Sequence, residues 1–278
     1  MERLKWIIVS CAVLLLSTAF IFQGRTITVK GSDTMVILGQ RWAEEFMKKN
    51  KDITIQVTGG GSGTGIAAIL NGTTDICNSS RPMKESEKQK LKEKYGTPGV
   101  EIKCAIDGLS VYVNKSNPVD SLTLDQLKDI YTGKIKNWKE VGGKDADIVL
   151  YSRENNSGTY VYFKEEVLNN SDFHQTTQHI PGTASVVSAI VKDKNGIGYG
   201  GIAYGKGVKH LKIKKDKETP AYEPNAENIK NGNYPISRYL YMYVIKRPTG
   251  DLQQYIDWIL SQEGQKIVEQ VGYIAVKK

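Results

Sequence analysis

The chain has 278 residues, 40% of them hydrophobic and 24% charged, with a formal net charge of +8. That balance is ordinary for a globular protein with a real core, which excludes wholesale disorder, and the length fits one large domain or two smaller ones. The lysines are scattered (Lys88, Lys90, Lys92 and Lys94 on a predicted helix, others over 206–217) without regularly spaced aromatic partners, so the charge reads as a solvated basic surface rather than a nucleic-acid site.

The N-terminus begins Met1-Glu2-Arg3-Leu4-Lys5 and continues in a low-polarity run from Trp6 to Phe22. A basic start followed by such a run is the pattern of a secretory signal, with Ser17 and Ala19 as the small residues for cleavage after Ala19. The competing reading keeps residues 6–22 as an uncleaved membrane anchor, near the lower length limit for a spanning helix. A lipobox-like Ile8-Val9-Ser10-Cys11 ranks last, because few apolar residues precede Cys11. Residues 1–24 are therefore set apart as signal peptide or anchor. The remainder is expected outside the cytoplasmic membrane, periplasmic or at the cell surface.

Beyond that segment, β-branched and alternating runs predict strands at 27–29 and 53–57. Between them, Val36, Leu38, Trp42, Ala43, Phe46 and Met47 keep a helical period over 35–48. A short helix is expected at 64–71, a strand at 75–78, a charged helix at 85–95 and strands through 100–113. The pattern restarts after Asn114, with helices at 123–131, 159–168 and 183–191 and strands at 148–151 and 196–199. A polar, loop-rich stretch over 210–234 carries Pro220 and Pro224. It is followed by a strand at 238–245 and a helix over 251–270 that breaks near Gly264. Strands alternating with helices predict an α/β fold, parallel sheets covered on both faces, arranged as two lobes flanking a cleft. Cys77 and Cys104 either pair in an oxidising compartment or serve as small buried apolar residues; spacing leaves both open.

Three segments share one chemistry: Gly31-Ser32-Asp33-Thr34, Gly59-Gly60-Gly61-Ser62-Gly63-Thr64-Gly65, and Arg153-Glu154-Asn155-Asn156-Ser157-Gly158-Thr159. Each follows a predicted strand and opens a predicted helix. The first turn of a helix has N–H groups without internal partners and partial positive charge, so it can hold an oxyanion, with Ser and Thr hydroxyls adding donors. Glycine lets the backbone come close, and Arg153 offers a planar, permanently charged fork. Any one such loop is readily explained as an ordinary N-cap. Three of them after strands, one with an arginine four residues before its serine, point to an anion site.

Other chemistries lack their residues. The 59–65 run has neither a dinucleotide register nor the lysine of a Walker loop, and no G-x-S-x-G elbow surrounds Ser62, Ser110 or Ser157. His174, His179 and His210, the three histidines, have no zinc-type spacing. The 196–201 glycines read as strand packing. No cofactor, no metal and no catalytic residue is expected.

At this point the sequence resembles the PstS family, the phosphate-binding proteins of high-affinity phosphate ABC importers. The resemblance covers nearly all of the chain after residue 25. It is carried by Gly31–Thr34, Gly61–Gly65, Asp75-Ile76-Cys77-Asn78-Ser79-Ser80-Arg81, Leu122-Thr123 through Gly133–Trp138, Arg153–Thr159, Gly196–Tyr199, and Tyr234-Pro235-Ile236-Ser237-Arg238 through Tyr243. It implies a two-lobed type II periplasmic-binding-protein fold that closes on one dehydrated phosphate, each lobe a mixed, mainly parallel sheet flanked by helices. One lobe would comprise 25–107 plus 240–278, the other 108–239, with crossings near Asp107–Val111 and Tyr239–Tyr243.

By the same resemblance, Thr34, the Met35 backbone and Ser62 bind phosphate from one lobe, and Arg153, Ser157, Gly158 and Thr159 from the other. Ser32 and Asp33 form a second tier. Ser80 stands where well-studied members carry an aspartate, which leaves the rejection of sulfate to a neutral group. Arg81 either adds a cation to the site or forms an ion pair. The expected partners are inorganic phosphate and the permease of an ABC importer, with the chain acting as a monomer. The alternatives are a membrane-anchored phosphate sensor or scavenger not coupled to transport, and a phosphatase-type enzyme, for which the sequence offers neither nucleophile nor metal cluster.

Overall fold

The computed structural model describes residues 25–276; the signal, anchor and lipobox readings of residues 1–24 lie outside them. The chain runs β1 (Arg25–Gly31), a 3-10 turn, α1 (Val36–Lys49), β2 (Ile53–Thr58), α2 (Ser62–Asn71), β3 (Ile76–Ser79), α3 (Glu85–Tyr95) and β4 (Val100–Val113). It continues through β5 (Ser121–Thr123), α4 (Leu124–Tyr131), β6 (Val149–Arg153), α5 (Gly158–Tyr162), β7 (Gln178–Ile180), α6 (Thr183–Lys192) and β8 (Gly196–Gly201). The last elements are β9 (Lys209–His210), β10 (Lys212–Lys214), α7 (Ala226–Lys230), β11 (Ser237–Val244), α8 (Gly250–Leu260) and α9 (Gln262–Val271). Among these helices none is long and apolar enough to cross a membrane.

The main sheet has the strand order β2-β1-β3-β11-β4-β8-β6-β7. Its outer pairs are parallel, β1 with β2 and β3 on one side and β6 with β7 and β8 on the other. The strands between them are antiparallel. β4 is one continuous strand where the sequence predicts separate ones, and its length is what joins the halves. Its residues up to Gly108 pair with β11, and those from Leu109 pair with β8.

Each half has its own core. The first packs α1, α8 and α9 on the sheet through Ile27, Val29, Leu38, Trp42, Phe46, Leu240 and Ile256. The helical spacing of the buried residues of α1 (Leu38, Gly39, Trp42, Ala43, Phe46) is the amphipathic stripe read from the sequence. The second collects Leu109, Val111, Leu127, Tyr131, Phe163, Ile197 and Tyr199. Cys77 and Cys104 are both free and buried. They sit in different apolar clusters, Cys104 with Trp42 and Leu240, Cys77 with Ile66 and Tyr243, so the small-apolar reading of the pair holds.

Local chemistry sets the ends of the elements. α4 begins with a reciprocal capping box, Gln126 N–H on Thr123 Oγ1 at 3.0 Å and Thr123 N–H on Gln126 Oε1 at 2.9 Å. The long C-terminal helix breaks at Ser261 rather than at Gly264, because Ser261 ends α8 and caps α9. The helix expected over 159–168 is five residues of α-helix continued by a π-turn, Phe163–Val167.

Candidate functional site

The three helix starts meet where the two halves of the fold face each other. α2 opens directly after Gly61, whose φ of 89° is the left-handed region that glycine tolerates. Its Ser62 is fully buried and sits against the residue after β3: Ser80 N–H donates to Ser62 Oγ at 3.0 Å, and the two hydroxyls lie 3.3 Å apart. From the other half, Gly158 presses its Cα into the same place. A Cβ there would collide with Ser62 Oγ and lie 2.8 Å from Ser80 Oγ. Thr159, next along, places Oγ1 2.9 Å from Thr34 Oγ1 of the first loop. Thr34, Ser62, Ser80 and Thr159 are each 1% exposed or less.

A seam of hydrogen bonds shuts the two halves over these groups. Gly63 N–H donates to Asn156 O at 2.8 Å, and Asn156 Nδ2 donates to Gly60 O at 3.1 Å. Tyr204 OH donates to Asp33 O at 2.7 Å.

Two buried arginines stand among the hydroxyls. Arg153, at the end of β6, donates from Nη2 to Asp33 Oδ2 at 2.6 Å and from Nη1 to Thr183 Oγ1 at 2.7 Å. Burial pulls the guanidinium below its usual value, with the Asp33 carboxylate opposing that. Asp33 is held in turn by Gly60 N–H on Oδ1 at 2.7 Å. Arg238, on β11, donates from Nε and Nη2 to Asp107 Oδ2 at 3.2 and 2.9 Å and from Nη2 to Thr159 Oγ1 at 2.9 Å. Burial pushes the Asp107 carboxyl up, against the pull of Arg238.

The other residues singled out in the sequence lie around this centre. Ser157 is the N-cap of α5, its hydroxyl accepting from Thr159 and Tyr160 N–H at 3.2 and 3.3 Å. Ser32 is buried at the end of β1, its N–H on Asn78 O, and Met35 gives its N–H to Ser32 O at 3.0 Å. Arg81 is buried and engaged in an ion pair. Its Nη1 and Nη2 hold Glu87 Oε2 and Oε1 at 2.8 and 2.7 Å. The ion pair forms because Glu87 is already anchored in the first turn of α3, accepting Lys84 N–H at 2.8 Å. Those bonds hold the Glu87 carboxyl below its usual value in spite of burial.

Arg238 and Asp107 are residues that the sequence did not single out as a site. Arg238 falls in a stretch that carries the resemblance and Asp107 at a lobe crossing that it implies, but only the β4–β11 register, which sets them opposite each other, shows that they form a pair. The cleft hydroxyls, Thr34, Ser62, Ser80, Ser157 and Thr159, have hydroxyl, backbone and guanidinium partners, and none among the described residues bonds a histidine or a carboxylate. No group of three or more His, Cys, Asp or Glu side chains suited to a metal ion occurs among the described residues.

Comparison with known proteins agrees with this architecture. The profile of the PBP superfamily domain matches residues 22–263. The phosphate-binding protein PstS of Pseudomonas aeruginosa is 37% identical over 261 residues, 88% of this chain and 81% of that protein. The protein of the same name from Staphylococcus saprophyticus is 36% identical over 258 residues, 89% of this chain and 79% of the relative.

Among solved structures, a proposed phosphate ABC transporter substrate-binding protein from Clostridium perfringens, with bound phosphate, superposes with a TM-score of 0.83 at 35% identity, covering 91% of this chain and 100% of that one. An ABC-type phosphate transport receptor from Vibrio cholerae gives 0.71 at 29% identity, with 89% and 99% covered. The chain belongs to the PBP superfamily and, within it, to the PstS family of phosphate-binding proteins.

Proposed function

We propose that the chain is an extracytoplasmic solute-binding protein that takes inorganic phosphate between two lobes and delivers it to the permease of an ABC importer. The observation that carries this reading is the meeting of Thr34, Ser62 and Ser80 with Gly158 and Thr159 across the cleft, beside Arg153. Hydroxyl O–H groups and a guanidinium supply donors to a tetrahedral oxyanion, and closing off water strengthens each bond. Phosphate is the anion that the named relatives share.

The lobes of this reading are 25–107 plus 240–278 and 108–239. The change of partner along β4 at Gly108–Leu109 supports that division, and closure would be a hinge motion about the crossing strands. The ligand set is Thr34, Ser62, Ser80, Arg153, Gly158 and Thr159. Ser157 holds the start of α5, Ser32 and Met35 hold the first loop, and Asp33 aims Arg153. Arg81, engaged by Glu87, is left to the corner of α3. The protein acts as a monomer, exported by its N-terminal segment, and binds without catalysing; in support, the cleft hydroxyls bond no histidine or carboxylate among the described residues.

Calorimetric titration of the purified chain with phosphate, sulfate, arsenate and molybdate tests the reading. Saturable heat with phosphate, together with a raised thermal midpoint, is expected. The absence of both sinks it.

A further inference from the structure

We propose that Arg238 is a second anion-binding guanidinium of the cleft, offering Nη1 to the same phosphate that Arg153 faces; this rests on the phosphate reading above. The side chain is 4% exposed and its carboxylate partner, Asp107, is wholly buried. Its orientation is fixed by geometry. Nε and Nη2 lie along one edge of the planar group, and both point at Asp107 Oδ2.

The second Nη2 hydrogen and one Nη1 hydrogen lie side by side at the far end of the guanidinium. At that end Nη2 reaches Thr159 Oγ1, itself 2.9 Å from Thr34 Oγ1, so Nη1 faces the hydroxyl cluster too. Nη1 is buried and has no protein hydrogen-bond partner. A buried charged donor left this way is costly unless something accepts from it.

The arrangement repeats that of Arg153. Each arginine is backed by one carboxylate, Asp33 or Asp107, gives one nitrogen to a threonine hydroxyl, and keeps one buried nitrogen without a protein partner, Nε in Arg153 and Nη1 in Arg238. Two guanidiniums neutralised from behind supply directed donors to an oxyanion without a large net charge. They come from different parts of the fold, Arg153 from β6 and Arg238 from the strand that crosses between the lobes. Ser80 belongs to the same cluster, because Gly158, the neighbour of Thr159, sits against its Oγ.

The test is phosphate titration calorimetry on the full chain and three variants: D107N/R238Q, which replaces the pair by two amides and leaves no orphan carboxylate; T159V; and the triple combination. Loss of a charge-assisted bond in a closed site predicts that D107N/R238Q binds phosphate about 10- to 100-fold more weakly. Unchanged affinity overturns the proposal.

If Arg238 served only to aim the Thr159 hydroxyl, T159V would already lose as much and the triple variant no more, which also overturns it. Direct contact predicts a further loss of about tenfold on combining. Should D107N/R238Q fail to fold, R238K decides: it keeps the charge beside Asp107 but has no nitrogen at the far end of a fork, so weakening supports the proposal and unchanged affinity overturns it. No binding by the unaltered chain would remove the phosphate reading itself, and this proposal with it.

Discussion

Arg153 and Asp33 face each other across the cleft, Nη2 of the one 2.6 Å from Oδ2 of the other, with the arginine 1% and the aspartate 16% exposed. The pair joins the end of β6 to the turn after β1, so it exists only when the two halves of the sheet are brought together. The carboxylate also takes Gly60 N–H. One aspartate therefore orients both the charged donor of one lobe and the glycine loop of the other.

Removing either partner should have unequal effects. Arg153→Ala takes away the donor and strands a carboxylate, and phosphate affinity should fall at least about a hundredfold, in line with losses at buried charge pairs. Asp33→Asn keeps an acceptor for both bonds and should cost about tenfold or less. Calorimetry on the two variants checks the order; equal losses would mean that Asp33 does more than aim Arg153.

Gly158→Ala should block closure. The added methyl would meet Ser62 Oγ and Ser80 Oγ, which lie in the opposite lobe. Overpacking of this kind costs about 1–3 kcal/mol, all of it in the closed state. Phosphate should bind roughly 5- to 100-fold more weakly, while the thermal midpoint without ligand stays within a degree or two of the unaltered protein. A midpoint that falls as far as the affinity would place the damage in the fold instead.

The two cysteines of the described residues should be inert. Burial pushes both thiols up, so little thiolate is present to react. Iodoacetamide should leave Cys77 and Cys104 unmodified in the folded chain and alkylate both in denaturant, as read by peptide mass mapping. Reductant should not move the thermal midpoint.

His210 predicts a pH dependence of stability. It is held between Ser110 Oγ, 2.6 Å from Nδ1, and Gly205 O, 3.1 Å from Nε2. Burial pulls the imidazole below its usual value, partly opposed by the Gly205 carbonyl. The unfolded chain then binds the proton more readily than the folded one. The contribution to stability is complete above the ordinary histidine value of about 6.5 and is lost as pH falls below it. The fall in thermal midpoint from about pH 7.5 to about pH 5 should be smaller in His210→Gln than in the unaltered chain; identical slopes would refute the assignment.

The parts of the site that were legible are those announced locally. Thr34, Ser62 and the Arg153–Thr159 run each stand at a strand-to-helix turn, and a Ser or Thr beside glycine at such a turn has a short list of physical meanings. The fold class followed in the same way from alternating periods. What could not be read is who faces whom. Arg238 and Asp107 are 131 residues apart in the chain, and their meeting depends on the register of two strands that nothing local specifies. The length of β4 was equally hidden, because a strand that changes neighbours midway shows no break in its own residues. Arg81 was legible only as a choice between two roles, because its partner Glu87, at the third position of its helix, is set by the turn between them.

The seam that joins Gly63 N–H to Asn156 O and Asn156 Nδ2 to Gly60 O has a kinetic meaning. A small anion walled in on both sides cannot depart through side-chain rotation alone, so its residence time is set by how often the lobes part. On the phosphate reading, these two contacts at the rim, one between backbone groups and one from the Asn156 amide, would therefore act as the clock of the exchange. Weakening them would shorten the dwell without altering the chemistry that recognises the cargo.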